Sequence, residues 1–390
     1  MRVATLLALF PLTFASPTKR SSPAPVLIPQ NAKVIDGKYI VKMRSGENNA
    51  VSAAVESIAA HADYIYSHSF DGFAASLTKE EVEKLQNSPH VGVEFLEKDA
   101  VVTISATQQN ADWGLARLSS PNPGSTDYTY DDSAGEGTCA YIIDTGVDVQ
   151  HPVCWPRQVP RQFIDQDKTG GNGHGTHVSG TIGSKTYGVA KKTFILGVKA
   201  LDASGWGTNS GVIAGMEFVA KDGPCQSCPK GVVVNMSLGG GKSDAVNQAA
   251  ANIVKAGLFL AVAAGNDGAD ASGYSPASEP TACTVGATVS DDSLATYSNI
   301  GSLIKVLAPG TDIISTWPGA STNKISGTSM ASPHVAGIGA YFLGLGQKAE
   351  GLCDYIAQTA LKGVISGVSG DTANLLINNG QGGNGSFRAF

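Results

Sequence analysis

The sequence predicts an α/β fold with a mostly parallel sheet between helices, preceded by a small α+β domain. From Trp113 onward, short apolar strands alternate with helical segments, and Gly-rich turns separate them. That alternation is typical of a parallel sheet with helices on both faces. Upstream, from Lys38 to the A-T-Q stretch after Ser105, a shorter pattern of strands and helices indicates a separate unit of about 70 residues.

The small unit is predicted to contain, in chain order, a strand at 38–44, a helix at 50–61, a strand pair at 63–77, a helix at 79–87 and a strand at 92–102. Thr78 is the expected cap of the second helix. No cluster of Ser, His or Cys in this unit suggests chemistry. The Ser- and Pro-rich residues 17–29 before it are predicted to be a linker.

Residues 1–15 have the pattern of a secretory signal peptide. Arg2 supplies a positive charge, an apolar run extends from Val3 to Phe10, and small residues stand near Ala15 and Ser16. The alternative is a short buried helix. No later apolar run reaches about 18 residues without a charge or a turn signal. We therefore expect a soluble, secreted protein that does not span a membrane.

The larger unit is predicted to alternate strands with helices. The strands are expected at 139–143, 193–200, 231–236 and 258–264, and the helices at about 174–182, 211–220, 243–255 and 329–345. Ligands of such sheets gather at the carboxyl ends of the strands. Nucleic acid is a poor candidate partner, because only 15% of the residues are charged, the net charge is -6 and no segment carries a block of basic residues.

Six cysteines are an even number, which in an oxidising compartment favours disulfides. Six thiols allow fifteen pairings, and the spacing does not choose among them. Cys225 and Cys228 form a C-x-x-C pair. A zinc site has little support, because neither a second such pair nor a histidine at ligand spacing accompanies them.

Ser329 lies in the motif I-S-G-T-S-M-A-S-P-H-V-A-G, residues 325–337. A hydroxyl nucleophile requires an exposed turn, small neighbours and a helix start that favours developing negative charge. Gly327 supplies the turn, and Pro333 fits the first turn of an apolar helix. A serine-capped core helix fits the same residues, so this motif does not decide alone.

Other polar residues follow strand ends or open helices. Asp144 closes an apolar strand, where a carboxylate is able to orient an imidazole, although Asp near Gly is also an ordinary turn residue. His174 and His177 stand three residues apart near a helix start, but neither a third metal ligand nor an H-E-x-x-H signature accompanies them. Asn266 follows a buried strand and is either an oxyanion donor or a turn residue.

Together these residues indicate one site. Asp144, His174 and Ser329 occur in the chain order of subtilisin, not of chymotrypsin or the α/β-hydrolases. Their surroundings resemble the active-site signatures of the subtilisin-like serine proteases, namely D-T-G at 144–146, G-H-G-T-H at 173–177 and G-T-S-M-A at 327–331. A resemblance to the secreted proteinase K-like branch known from fungi rests on W-G-L-A-R at 113–117, Y-G-V-A at 187–190 and Y-S-P-A-S-E-P at 274–280.

The resemblance implies that Ser329 is the nucleophile, His174 the general base and then acid, and Asp144 its orienting partner. Asn266 and the Ser329 backbone amide would form the oxyanion hole, and His177 would be a structural neighbour. The implied domains are a signal peptide at 1–15, a propeptide at 16–105 with a ferredoxin-like inhibitor domain at about 34–105, and a subtilisin-like catalytic domain at 106–390.

The resemblance also implies how a substrate binds. An extended peptide would pair with backbone on both sides by β-augmentation, contacting Ser237, Leu238 and Gly239 on one side and Gly205, Trp206 and Gly207 on the other. A roomy, uncharged pocket would be floored by Ala263, Ala264 and Gly265. We therefore expect cleavage after aromatic or large aliphatic residues, with Trp206 narrowing the neighbouring subsite.

Disulfides of the family correspond to Cys139 with Cys228 and to Cys283 with Cys353. Cys154 and Cys225 are left either to pair with each other or to remain free.

No cofactor is expected for catalysis, and structural calcium is not expected either. Similar enzymes hold calcium with carbonyls near Pro280 and Ala282 and an aspartate, where this chain has Lys305. The acid of a second, weaker site corresponds to Val364. Because an ammonium group repels the ion, we expect both sites to be empty.

The segment 153–161, V-C-W-P-R-Q-V-P-R, departs most from the family. A shift of one base in its reverse translation permits a sequence of the family type, F-V-G-R-A-K-F. We therefore hypothesise that the segment is a splice or gene-model junction, and an in-frame read of the transcript across it would disprove this. If the segment is real, packing near Asp144 differs from that of relatives.

These observations predict a monomeric secreted serine endopeptidase, made as a zymogen, that acts on proteins and peptides. Its propeptide would occupy the cleft around 102–105 and be removed by self-cleavage near Ser105–Ala106. One alternative is a catalytically impaired, protein-binding relative; another, a Rossmann-like cofactor binder, lacks G-x-G-x-x-G after its first strand. Asn384 is a possible glycan acceptor, whereas Asn235 is expected to be buried in a strand.

Overall fold

The computed structural model describes residues 22–29, 34–44, 50–58, 61–66, 71–88, 92–100, 105–151, 161–162 and 171–381. Internal contacts divide the chain into two units, Met1–Val102 and Thr103–Phe390. The predicted signal peptide, residues 153–160 with Cys154, and Asn384 lie outside the described residues.

The first unit contains strands β1 (Val26–Leu27), β2 (Val34–Met43), β3 (Ala62–Tyr66), β4 (Gly72–Ser76) and β5 (Val93–Ala100), with helices α1 (Ala50–Glu56) and α2 (Lys79–Asn87). The strands form one sheet in the order β1-β5-β2-β4-β3, in which only the β1–β5 pair is parallel among the described residues. The predicted cap of α2 is present, since Thr78 and Glu81 each accept a hydrogen bond from the other's backbone N–H. Val41, Phe73 and Leu96 pack in its core.

The helices of the second unit are α3 (Trp113–Arg117), α4 (His174–Gly183), α5 (Asn209–Asp222), α6 (Asp244–Lys255), α7 (Thr328–Gly344) and α8 (Leu352–Thr359). Outside the central sheet, the described part of this unit has three two-stranded antiparallel sheets. They are β6 (Ser105–Gln108) with β7 (Tyr128–Asp131), β12 (Gly240–Gly241) with β14 (Tyr274–Ser275), and β17 (Ile313–Trp317) with β18 (Ser321–Ile325).

Within the described part of this unit, nine strands form the central sheet. Their spatial order is β19 (Leu361–Lys362), β20 (Leu375–Leu376), β16 (Ile304–Pro309), β15 (Cys283–Thr288), β13 (Phe259–Ala263), β11 (Gly231–Met236), β8 (Thr138–Asp144), β10 (Phe194–Lys199) and β9 (Arg161–Gln162). Every neighbouring pair is parallel except β19–β20. The predicted mostly parallel sheet is therefore confirmed.

Helices cover both faces of this sheet. Along β8, Ala140 and Ile142 join a core that includes residues of α4 and α7, whereas Tyr141 and Ile143 join a second core with residues of α5 and α6. Burial on both faces explains why the strands are continuous apolar runs rather than alternating ones. The starts of α4 and α7 consequently lie on one face.

Disulfides join Cys139 to Cys228 and Cys283 to Cys353, the pairs that the family resemblance implies. Cys225 is a free and exposed thiol. Among the residues that the structure describes, no helix is long and apolar enough to cross a membrane.

Candidate active site

Asp144 is the last residue of β8, where the strand leaves the apolar core. The residue is 0% exposed. Its Oδ1 accepts a hydrogen bond from the Thr145 N–H at 2.7 Å. A carboxylate that is fully buried at a sheet edge requires a charged or hydrogen-bonding partner.

His174 is that partner and opens α4. Its Nδ1 lies 2.8 Å from Oδ1 and 3.0 Å from Oδ2 of Asp144. Burial lowers the pKa of His174, but the charge of Asp144 and the hydrogen bond to it outweigh burial and raise the pKa above the ordinary 6.5. Because Nδ1 faces the carboxylate, Nε2 is the ring nitrogen that is left for a reacting hydroxyl.

Ser329 is the second residue of α7 and is half-buried. Its Oγ donates to the Ser237 carbonyl oxygen at 3.1 Å, and the Ser237 hydroxyl donates to the Ser329 carbonyl oxygen at 2.7 Å. The reciprocal pair ties the start of α7 to the segment that follows β11. The hydroxyl also stands in the first turn of a helix, where developing negative charge is favoured.

A buried amide supports the reciprocal hydrogen bonds between Ser237 and Ser329. Asn235, on β11, donates from Nδ2 to the Ser237 hydroxyl at 2.9 Å and accepts at Oδ1 from the Ser332 hydroxyl at 2.7 Å. Sequence reasoning missed Asn235 as a site residue, although an amide within the apolar strand V-V-V-N-M is a recognisable signal. Both ends of the amide are occupied at 0% exposure, so the residue lies in a buried strand as expected.

Asn266 follows β13 and is exposed. Its Oδ1 accepts from the Thr328 N–H at 2.8 Å and from the Thr328 hydroxyl at 2.9 Å. The amide nitrogen is therefore the end that remains to donate elsewhere. Thr328, which precedes Ser329, is a second residue whose contact sequence reasoning missed. It stands in the G-T-S-M-A motif, but nothing in the motif shows that it binds Asn266.

A cleft of about 570 Å³ opens beside these groups. It is lined by His174 and by six of the predicted substrate-binding residues, Gly205, Trp206, Gly207, Ser237, Leu238 and Gly239. The Trp206 side chain is 76% exposed at its rim. Ala263 and Ala264 are buried at the end of β13, Gly265 is half-buried, and none of the three belongs to the described lining of this cleft. The lining also includes Thr145 and Asn172, which the sequence did not single out.

His177 is buried and hydrogen-bonded within the core. Its Nε2 donates to the Ile313 carbonyl oxygen at 3.0 Å, and the residue is 0% exposed. Burial lowers the pKa of its ring to about 4. Within the described residues, no group of three His, Cys, Asp or Glu side chains is arranged to hold a metal ion.

The site brings together the groups that acyl transfer requires: a buried carboxylate, an imidazole bonded to it, a serine hydroxyl at a helix start and an amide donor on the adjoining turn.

A family model described as the subtilase family matches residues 135–382, and one described as peptidase inhibitor I9 matches residues 38–105.

Individual relatives and a solved structure give the same result. Proteinase T of Parengyodontium album is 67% identical over 74% of this chain and 99% of its own length. Proteinase R of the same organism is 52% identical over 98% of this chain and all of its own length, and a cuticle-degrading protease of Metarhizium anisopliae is 50% identical over 97% and 100%. The crystal structure of a cold adapted subtilisin-like serine proteinase matches with a TM-score of 0.65 and 42% identity, covering 70% of this chain and 99% of that one. The chain therefore belongs to the subtilase family and is a serine endopeptidase with an I9-type inhibitor domain at its N-terminal side.

Proposed function

We propose that this endopeptidase is secreted, acts as a monomer with broad specificity, and cleaves peptide bonds with Asp144, His174 and Ser329. The observation that carries the proposal is the 2.8 Å contact between His174 and the fully buried Asp144. His174 lines the same cleft as Ser237, whose carbonyl oxygen accepts a hydrogen bond from the Ser329 hydroxyl. No metal or cofactor takes part in the proposed chemistry.

In the proposed reaction, Ser329 Oγ attacks the peptide carbonyl carbon while His174 Nε2 takes the hydroxyl proton. Asp144 stabilises the imidazolium that forms. Asn266 Nδ2 and the Ser329 N–H donate to the oxyanion. His174 then protonates the leaving amine. Water next attacks the acyl group on Ser329 while His174 takes its proton, and the acyl group is released as a carboxylic acid.

Substrate preference is proposed from the lining of the cleft. Gly205 and Gly207 on one side, and Ser237 and Gly239 on the other, offer backbone to an extended peptide without large side chains in the way. Trp206 stands exposed between the two glycines, and we propose that it narrows one subsite. Hydrolysis of a peptide library should favour aromatic or large aliphatic residues before the scissile bond; a preference for charged residues there would contradict the proposal.

We also propose that residues 1–15 direct secretion and that residues 16–105 are a propeptide removed by self-cleavage near Ser105–Ala106. The I9 match to residues 38–105 supports this boundary. Expression of the full chain with Ser329→Ala should accumulate the uncleaved precursor while the parent matures. If both chains are processed alike, self-cleavage is wrong.

Calcium is proposed not to bind at the family position. Lys305 and Lys255 line one cavity of about 580 Å³ with Pro280 and Ala282, so two ammonium groups stand where a cation would be held, although Glu350 and Asp354 line the same cavity. Val364, at the second position, has no ligand atom in its side chain. Calorimetry on the mature protein should detect no binding at Lys305, and the variant Lys305→Asp should gain it. Binding that Lys305→Asp leaves unchanged would contradict the proposal.

A further inference from the structure

The hairpin formed by β17 and β18 contacts each segment that carries a residue of the proposed triad. Its second strand ends at Ile325, four residues before Ser329. The turn between its strands reaches the loop after Asp144, since the Gly319 N–H donates to Asp148 Oδ2 at 3.2 Å and His151 Nε2 donates to the Ser321 carbonyl oxygen at 2.9 Å.

The first strand holds α4 through three side-chain hydrogen bonds. The Ser315 hydroxyl donates to the His177 carbonyl oxygen at 2.8 Å, and the Thr316 hydroxyl donates to the Thr176 carbonyl oxygen at 2.8 Å. In the opposite direction, His177 Nε2 donates to the Ile313 carbonyl oxygen at 3.0 Å. These five residues are at most 1% exposed, so water does not replace any of the bonds.

Two glycines allow the close approach of β17 to α4. A Cβ atom at Gly180 would lie 2.2 Å from the Thr316 hydroxyl oxygen, and one at Gly173 would lie 2.5 Å from the Trp317 ring. Gly173 also has a φ of 94°, which favours glycine. His177 lies between these glycines on the helix and meets the edge of the Trp317 ring, with 6.4 Å between ring centroids. It is the side chain through which this face of α4 bonds to β17.

These contacts make a short connection between base and nucleophile. His174 and His177 are one helical turn apart, His177 bonds Ile313, and Ile313 pairs with Ile325 in the hairpin. From Ile325 the chain runs through Gly327 to Ser329. A displacement of about 1 Å between reacting groups costs up to about 10²-fold in rate, so the stiffness of this connection affects catalysis.

We propose that His177 is a positioning residue, which fixes His174 relative to Ser329 through its bond to the β17–β18 hairpin. The proposal rests on the catalytic roles proposed above for Asp144, His174 and Ser329. His177 itself does not touch the substrate.

The test compares two substitutions in the mature enzyme. His177→Leu keeps the volume and removes the donor, whereas His177→Gln keeps an N–H donor at a similar reach. With active sites counted by a serine-directed titrant, kcat should fall about 10- to 100-fold in His177→Leu with KM nearly unchanged, and His177→Gln should recover most of it. The downfield proton resonance of the His174–Asp144 hydrogen bond should shift in the Leu variant and not in the Gln variant.

If His177→Leu does not mature, Thr316→Val decides, because it removes one bond of the same hairpin with little change in shape. Thr316→Val should lower kcat several-fold without changing KM. Thr284→Val is the matched control, since its hydroxyl donates to the Ala277 carbonyl oxygen at the same 2.8 Å and is equally buried on β15. This control should keep the parent kcat.

A parent-like kcat in His177→Leu, no recovery in His177→Gln, or an equal loss in Thr284→Val and Thr316→Val would overturn the proposal. Failure of the underlying function is recognised separately. In that case Ser329→Ala would hydrolyse peptides as the parent does, whatever the His177 variants do.

Discussion

His174 is subject to two opposing influences on its pKa. Removal from water disfavours the protonated ring, while the Asp144 carboxylate at 2.8 Å favours it, and the net effect raises the pKa. A general base must be neutral before it takes a proton from Ser329. The same contact that orients the ring therefore moves the onset of activity toward higher pH.

The pH dependence of kcat/KM tests this balance. Activity should rise with pH through an apparent pKa above 6.5, because only neutral His174 accepts the proton. In Asp144→Asn the two effects that raise the pKa are gone, so the apparent pKa should fall and kcat should drop about 10⁴-fold. An onset below pH 6.5 in the parent, or an unshifted onset in Asp144→Asn, would be inconsistent with this assignment.

Asn266 is predicted to donate to the substrate oxygen when that oxygen becomes negatively charged in the transition state, and not to contribute to substrate binding before it. Asn266→Ala should lower kcat by about 10²- to 10³-fold with little change in KM, which is the usual cost of removing one oxyanion-hole donor. Thr328→Val removes a bond to Asn266 Oδ1 but keeps the one from the Thr328 N–H, so it should cost less. Steady-state kinetics on both variants separate the outcomes, and a loss confined to KM would argue against an oxyanion role.

For single residues, the sequence identifies those with a catalytic motif or position and misses the hydrogen bonds that hold them in place. Asp144, His174 and Ser329 are recognisable by their order, and Asn266 by its position after a strand. The hydrogen bonds of Thr328 and Asn235 are not, because their partners lie 62 and 97 residues away along the chain. Nothing local to either residue reports these hydrogen bonds.

Among the elements, helix bounds follow capping groups that the apolar pattern does not reveal. α5 begins at Asn209, two residues before the predicted start, because the Thr208 hydroxyl accepts from the Gly211 N–H at 3.1 Å. α7 begins at Thr328, one residue early, because Thr328 is held by Asn266. By contrast β11, which is buried on both faces, has the predicted bounds.

A buried ion pair joins the end of α3 to the turn after β15 and gives a prediction about stability. Arg117 at the end of α3 binds Asp292 through two hydrogen bonds of 2.8 Å, and the side chains are 2% and 8% exposed. Arg117→Met leaves the carboxylate buried without its partner and should lower the free energy of unfolding by about 3–5 kcal/mol. Chemical denaturation of the inhibited mature protein measures this.

Lys192 provides the control for that experiment. Its pair with Asp132 is 3.5 Å long, and the two side chains are 42% and 74% exposed. Lys192→Met should therefore change the unfolding free energy by less than about 1 kcal/mol. Equal effects of the two substitutions would show that burial of the Arg117 pair is not what matters.

In the second unit, α4 and α7 each carry a histidine that burial keeps neutral. The pKa values of His177 and His334 are lowered to about 4, and both rings are at most 1% exposed. In the unfolded chain these rings titrate near pH 6.5. The unfolded state therefore binds more protons than the folded state between about pH 4 and 6.5.

Stability should consequently rise with pH through that window, by about 1.4 kcal/mol per pH unit for each histidine where the difference is complete. His174, whose pKa is raised, acts in the opposite direction above pH 6.5. The unfolding free energy of the inhibited protein, measured against pH, checks this. Carboxylates also make the unfolding free energy rise with pH, so the decisive comparison is with His177→Gln and His334→Gln. Each substitution should lower the slope of unfolding free energy against pH by the amount that corresponds to about one bound proton. Unchanged slopes would contradict the prediction.

The sheet, the disulfides and the β17–β18 hairpin could be predicted from the sequence to different extents. Alternating apolar runs were enough for a doubly covered parallel sheet, because burial on both faces leaves a strong pattern. The cysteine pairs came only from family resemblance, since Cys139–Cys228 and Cys283–Cys353 close separations of 89 and 70 residues that spacing does not encode. Sequence reasoning missed the β17–β18 hairpin, although Pro318-Gly319 between β-branched residues is a turn signal. Its contacts with the segments of the site have no local signal.

Covalent labelling of the mature protein with a sulfonyl fluoride, followed by peptide mapping, tests the role of Ser329 as the nucleophile. One label per molecule is expected on Ser329, with activity lost in proportion to labelling, because the activated hydroxyl is the group that reacts. A label on another residue, or full activity in protein labelled at Ser329, would contradict that role.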